Sequence, residues 1–192
     1  MNSEGVFSGR LRKMTKKVLF ITSNSGVEHD ELKKPLDFLT SKGIESIHAA
    51  IELKDVRTVV HDDEKSVSYS PHAILEKVDP SDYDLLVIPG GTVNAYQLRI
   101  DENAKKIIQF FTDHKKPIAA ICHGPWALIN AERIKDKDLT SYKSIRIDLE
   151  NAGANWVDEE VHRCNTGGWV LITSRSPDDI PAFNEAILKE LE

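Results

Sequence analysis

The chain has 192 residues, of which 40% are hydrophobic and 29% charged, with a formal net charge of -6. That balance is ordinary for a soluble, well-cored protein and argues against a general nucleic-acid binder, which would carry a basic face. No apolar run approaches the ~20 residues of a membrane span. Two cysteines, Cys122 and Cys164, cannot build a disulfide framework, so a reduced, cytoplasmic protein is expected.

Residues 1–15 mix Gly, Ser, Asn and Arg without periodicity and read as a disordered tail. A single domain is expected over residues 16–192. Val18-Leu19-Phe20-Ile21-Thr22 is a continuous apolar run, the pattern of a strand buried on both faces. Ser23 to Val27 reads as a polar loop. A helix follows, with Leu32, Leu36 and Leu39 at helical spacing and Gly43 as its stop. Pro35 inside it predicts a kink or a late regular start. Ser46 to Ala50 is the next strand, and the spacing implies a right-handed parallel crossover. Val56 to Tyr69 predicts a hairpin with a charged tip at Asp62-Asp63-Glu64-Lys65. Pro71 to Val78 reads as a short helix.

Asp84 to Ile88 is a third core strand, ending in Pro89-Gly90-Gly91. Paired glycines there allow close backbone approach. Asp101 to His114 is amphipathic, with Ala104, Ile107, Ile108 and Phe111 inward. Beyond Tyr142, a helix is expected from Ser144 to Ala152, started by Ser144 and stopped at Gly153. Trp156-Val157, Glu160-Val161 and Trp169 to Thr173 read as strands, and Pro181 opens a final helix to about Leu191.

The stretch that organises the rest is Ile118-Ala119-Ala120-Ile121-Cys122-His123-Gly124-Pro125. A buried strand stops at a cysteine, glycine relaxes the turn, and proline suits the first turn of a helix. This is the strand–elbow–helix arrangement of an exposed nucleophile, with sulfur in place of a hydroxyl. The positive end of the helix after Pro125 is expected to favour thiolate, and the His123 N–H to help hold an oxyanion. Strands alternating with helices predict one doubly wound α/β domain, with a mostly parallel sheet and helices on both faces. In such sheets the loops at the carboxyl ends of the strands share a crevice. Three ends meet there: the loop after Ile21, Gly90-Gly91, and Cys122-His123. Glu28, Asp30 and Glu31 offer a carboxyl group to that crevice, Glu31 being best placed to face the sheet top. The histidines show no metal-ligand spacing; they read as surface or loop residues, with His29 closest to the crevice.

The elbow resembles that of the PfpI-like intracellular protease/amidase family, within the wider DJ/PfpI superfamily. Supporting matches are Glu31 and Pro35 after the first strand, Pro89-Gly90-Gly91, Thr140-Ser141-Tyr142, Asn151-Ala152-Gly153, Trp156-Val157-Asp158 and Thr173-Ser174-Arg175. The resemblance implies a flavodoxin-like sandwich with Cys122 as nucleophile, His123 beside it and Glu31 as the buried acid on the sulfur. It also implies an oxyanion hole of the Gly91 and His123 N–H groups and a homodimer or higher homo-oligomer; no cofactor or metal is expected. Asn94, Trp126, Tyr142 and Arg175 are candidate substrate contacts. The sequence departs from the protease-like members in one respect. They place an acid shortly after the Gly-Gly turn, whereas Thr92 to Gln97 contains none. Asn94 is the residue expected to orient His123 instead. The late His-x-Glu pair of class I glutamine amidotransferases is also missing.

Two functions follow as expectations. One is cysteine-dependent hydrolysis or lysis of a small carbonyl, amide or glycated substrate, of peptidase, deglycase or glyoxalase type. The other is a redox-responsive stress or chaperone-like role in which Cys122 is oxidised to a sulfinate. Neither calls for nucleic acid or membrane as a partner.

Overall fold

The structure, a computed structural model, describes residues 14–192. The expected tail over residues 1–15 lies, except for its last two residues, outside the described residues. In chain order the elements are β1 (Lys17–Thr22), β2 (Ser25–Glu28), α1 (His29–Ser41), β3 (Glu45–Ala50), β4 (Val56–Val60), β5 (Glu64–Tyr69) and β6 (Ala73–Ile74). They continue with β7 (Leu85–Ile88), α2 (Thr92–Leu98), α3 (Glu102–Asp113), β8 (Ile118–Ile121), α4 (Trp126–Asn130) and β9 (Asp138–Leu139). The last are α5 (Arg146–Asn151), β10 (Asn155–Trp156), β11 (His162–Cys164), β12 (Leu171–Ser174) and α6 (Ile180–Leu191).

A seven-stranded sheet in the order β11-β12-β8-β7-β1-β3-β6 forms the centre. All its pairings are parallel except that of the edge strand β11 with β12. Side chains alternate between two cores. Leu19, Ile21, Leu86, Ile88, Ile118 and Ala120 face Ile107, Phe111 and Leu128 of α3 and α4. Val18, Phe20, Leu85, Val87, Ala119 and Ile121 face Leu32 and Leu39 of α1 and Phe183 and Ile187 of α6. Helices therefore cover both faces, and this is why the central strands read as unbroken apolar runs. Each buried aliphatic or aromatic side chain contributes roughly 1.5–3 kcal/mol of transfer free energy. The doubly wound, flavodoxin-like architecture is as the sequence implies. The chain runs from β1 to β3 and β6 on one side, then to β7, β8 and β12 on the other. The reversal falls between β1 and β7, which is where such sheets open a crevice.

Several local expectations are corrected. The loop after Ile21 contains a strand: β2 pairs in parallel with β4, and β4 and β5 form the expected hairpin. This three-stranded sheet brings the hairpin tip back towards the central crevice. Helix α1 begins directly after Glu28 and runs unbroken through the buried Pro35. Residues 71–78 form only the short β6 and a single 3-10 turn, Leu75–Lys77. Ser144 does not start a helix. It lies in a 3-10 turn, Lys143–Ile145, and α5 starts at Arg146 without a side-chain cap. The last two strands sit slightly later than expected, at His162–Cys164 and Leu171–Ser174.

Candidate active site

Cys122 follows β8 with φ +62°, a left-handed conformation that a side chain rarely adopts. Strain of about 1–2 kcal/mol accompanies it. Three backbone hydrogen bonds over-determine the bend. Cys122 N–H donates to Ser174 O (3.1 Å), Gly124 N–H to Ile121 O (2.9 Å) and Tyr142 N–H to Cys122 O (2.9 Å). Gly124 packs so closely that an added Cβ would meet Ile88 O at 2.5 Å. The elbow is thus built by the sequence elements that predict it.

The sulfur is nevertheless well covered, with Cys122 only 5% exposed. Its partner is the next residue: Sγ lies 3.2 Å from His123 Nδ1. The N–H groups of Gly91 and His123 both aim at the sulfur and pull its pKa down, but burial outweighs them and pushes the thiol well above its usual range. Negative charge on Glu31 or Asp62 would push it the same way. This direction runs against the resting thiolate expected from the sequence. The helix after the elbow, α4, has only five residues, too short to supply much dipole. Burial favours the thiol form of Cys122, which needs a base at the moment of attack. His123 can be that base, because burial lowers its pKa and keeps it neutral.

Glu31 is fully buried in the first turn of α1. Its Oε1 accepts from Gly90 N–H at 2.9 Å, while Oε2 has no protein hydrogen-bond partner. The carboxyl group lies against the Cys122 thiol, and burial holds its pKa well above the normal carboxylate range. Gly90 is what lets the two approach. An added Cβ there would meet Glu31 Oε1 at 2.4 Å and Cys122 Cβ at 2.7 Å. Gly91, with φ +92°, faces the same demand from Gly26 O at 2.1 Å.

The remaining sequence candidates divide. Tyr142 stacks on the His123 ring (5.1 Å between centroids) and Trp126 meets its edge (5.4 Å). Both border the site. Asn94 does not touch His123, contrary to expectation. It is buried, and its amide ties two loops together, accepting from Ser23 N–H and donating to Pro89 O and Gly90 O. Nothing of it is left for substrate. Arg175 is likewise spent: its fork grips Asp179 in two places and reaches Asp158. His29 points to Asp30 and the Tyr69 hydroxyl, away from the sulfur. His48 is not a surface histidine but a buried one on β3, 2.7 Å from Thr22 Oγ1. Cys164 lies on the edge strand, accepting from Asp138 N–H at 3.3 Å, outside the crevice. Among the described residues no cluster of His, Cys, Asp and Glu is arranged to hold a metal ion.

Three residues escaped the sequence reading. The carboxylate of the tip residue Asp62 accepts from Thr92 N–H (2.7 Å) and Thr92 O–H (3.0 Å). Thr92 Oγ1 and Ser144 Oγ each lie 3.3 Å from His123 Nε2. The charged tip and the position after Gly-Gly were both visible, but only the pairing of β2 with β4 brings them together.

The sequence profile of the DJ-1/PfpI family matches residues 16–190. The chain belongs to the DJ-1/PfpI family. Relatives include General stress protein 18 of Bacillus subtilis, 49% identical over 62% of this chain and 67% of that protein. YraA of the same organism, provisionally named a cysteine protease, is 36% identical over 93% of this chain and 100% of its own. Protein/nucleic acid deglycase 2 of Escherichia coli is 36% identical over 93% of this chain and 99% of its own. The names of these DJ-1/PfpI relatives support a hydrolase-type enzyme. Among the described residues, no helix is long and apolar enough to cross a membrane.

Proposed function

We propose that this DJ-1/PfpI protein is a cysteine-dependent hydrolase or lyase acting on a small carbonyl, amide or glycated substrate. One observation carries the reading: a nucleophile held at φ +62° with an imidazole nitrogen 3.2 Å from its sulfur. The Cys122 thiol gives its proton to His123 Nδ1 as the sulfur bonds to the substrate carbon. The carbonyl π electrons move to oxygen, and the Gly91 and His123 N–H groups receive that oxyanion. Re-forming the carbonyl then expels an amine, which takes the proton from His123; water completes the cycle by releasing the acyl group from sulfur. A protonated Glu31, whose otherwise unpartnered Oε2 lies beside the sulfur, would donate to negative charge there during attack.

Several features favour small or glycated substrates over long peptides. The sulfur is nearly covered, Tyr142 and Trp126 crowd His123, and no acid follows the Gly-Gly turn. The test is turnover of methylglyoxal, of its arginine adduct and of a small amide by wild type and Cys122→Ala. Abolition is expected; unchanged turnover in the variant would refute the assignment.

A second reading is favoured by the unpartnered Oε2 of Glu31 beside Cys122. A sulfinate on Cys122 would accept a hydrogen bond from that carboxyl group. Two equivalents of peroxide would be consumed, each reduced to water. Mild peroxide giving a stoichiometric two-oxygen adduct on Cys122, without turnover of any carbonyl substrate, would favour sensing. In either reading we place the protein in the cytoplasm as a homodimer or higher oligomer. The exposed Val93, Tyr96 and Ile100 around α2 support association.

A further inference from the structure

We propose that Asp62 and Thr92 are positioning residues that fix the tautomer of His123, supplying from the hairpin tip what the acid-free stretch after Gly91 lacks. The inference rests on the cysteine-enzyme reading for its meaning, but the geometry stands alone. Asp62 Oδ1 accepts the Thr92 N–H and Oδ2 accepts the Thr92 O–H. A carboxylate only accepts, so the Thr92 hydroxyl proton is committed to Asp62. The Thr92 oxygen can then only accept from His123 Nε2. His123 is thereby held with its proton on Nε2 and a lone pair on Nδ1. Nδ1 is the atom 3.2 Å from the Cys122 sulfur. The other tautomer would present an N–H to the thiol and could not take its proton.

The tip is built for this. His61 (φ +53°) and Asp62 (φ +68°) are both left-handed, which is unfavourable for residues with side chains. Buried Glu28 holds them by accepting the His61 and Asp62 N–H groups at 2.8 and 3.0 Å. Other groups around the imidazole do not decide the tautomer. Tyr142 lies on its face and Trp126 on its edge. The Ser144 hydroxyl can turn to accept or donate. The charge of Asp62 also favours the imidazolium that forms during attack.

The decisive variant is Asp62→Asn. Its carbonyl oxygen keeps the Thr92 N–H, but its NH2 group now donates to Thr92 Oγ1. The Thr92 proton is released from Asp62 and is free to turn towards Nε2, which favours the unproductive tautomer of His123. A misplaced tautomer in a histidine-assisted nucleophile costs on the order of 10⁴ in kcat; a fall of ~10²- to 10⁴-fold is expected here. Thr92→Val removes the steering group and is expected to cost only ~10-fold. Asp62→Asn combined with Thr92→Val should recover to the Thr92→Val rate, because asparagine then has no hydroxyl to turn.

Nitrogen-15 spectra of histidine-labelled protein read the tautomer without substrate. Wild type should show His123 protonated on Nε2, and Asp62→Asn should move the proton to Nδ1. A wild-type ring protonated on Nδ1, or one indifferent to Asp62→Asn, overturns the proposal, as does a double variant no faster than Asp62→Asn. If Asp62→Asn does not fold, the wild-type and Thr92→Val spectra decide: both protonated on Nε2 with identical rates would contradict it. Loss of the cysteine reading looks different: Cys122→Ala would then turn over substrate normally, whatever the spectra show.

Discussion

Cys122 and His123 are consecutive residues whose side chains meet, with 3.2 Å between Sγ and Nδ1. Neighbours in a strand point to opposite faces. The left-handed bend at Cys122 is what lets these two share one side, and it removes the need for a distant base. The proton of a buried thiol thus has its acceptor at hand.

The close packing beneath this pair depends on Gly90. In Gly90→Ala the new methyl group would meet the Glu31 carboxyl, Cys122 Cβ and Ile121 O, all within 2.9 Å. Two of these belong to the elbow itself and cannot move cheaply. Overpacking of this kind costs typically about 1–3 kcal/mol. Denaturant unfolding should show that loss, and turnover should fall further than stability alone explains.

Glu31 makes stability depend on pH in an unusual direction. Its folded pKa is raised by burial, so the folded state keeps a proton that the unfolded chain releases above about 4.5. Stability therefore falls as pH rises from about 4.5 towards the folded pKa, with a limiting slope of about 1.4 kcal/mol per unit. Glu31→Gln keeps an acceptor for Gly90 N–H and a donor for the sulfur but cannot ionise. Relative to wild type, it should gain stability between pH 4.5 and 7. Unfolding curves across that range check the sign; a parallel pH dependence for the two proteins would show that Glu31 is not neutral when folded.

His48 acts oppositely. Burial, with His72 nearby, lowers its pKa to about 4. Unfolding lets it take up a proton below about 6.5, so its contribution is present above that pH and is lost as pH falls to about 4. The full loss is about 3 kcal/mol. Between pH 4.5 and 6.5 this contribution opposes that of Glu31, so it is read by difference: as pH falls from 6.5 to 4, His48→Asn should lose less stability than wild type in thermal unfolding.

How much of this was legible in sequence follows from how local each signal is. The central strands, the elbow and Glu31 were legible because continuous apolar runs and a Cys-His-Gly-Pro turn are local patterns. The roles of Asn94 and Arg175 were not. Each looked like a free polar side chain near the crevice, and only packing shows that loop carbonyls occupy one and Asp158 and Asp179 the other. Asp62 was hidden for a topological reason. Its partner Thr92 lies 30 residues away, and no periodicity announces that β2 would tie the hairpin to the central sheet. The helix end after Pro125 was legible as a thiolate-favouring feature, but the burial that pulls the thiol the other way was not.

The central claim is that the Cys122 sulfur bonds covalently to substrate. It is tested most directly by quenching turnover of methylglyoxal or a small amide in acid and weighing the Cys122 peptide. A substrate-derived mass on that peptide in wild type, absent in Cys122→Ala, is the predicted result. Turnover continuing in Cys122→Ala, with no adduct in either protein, would contradict the account.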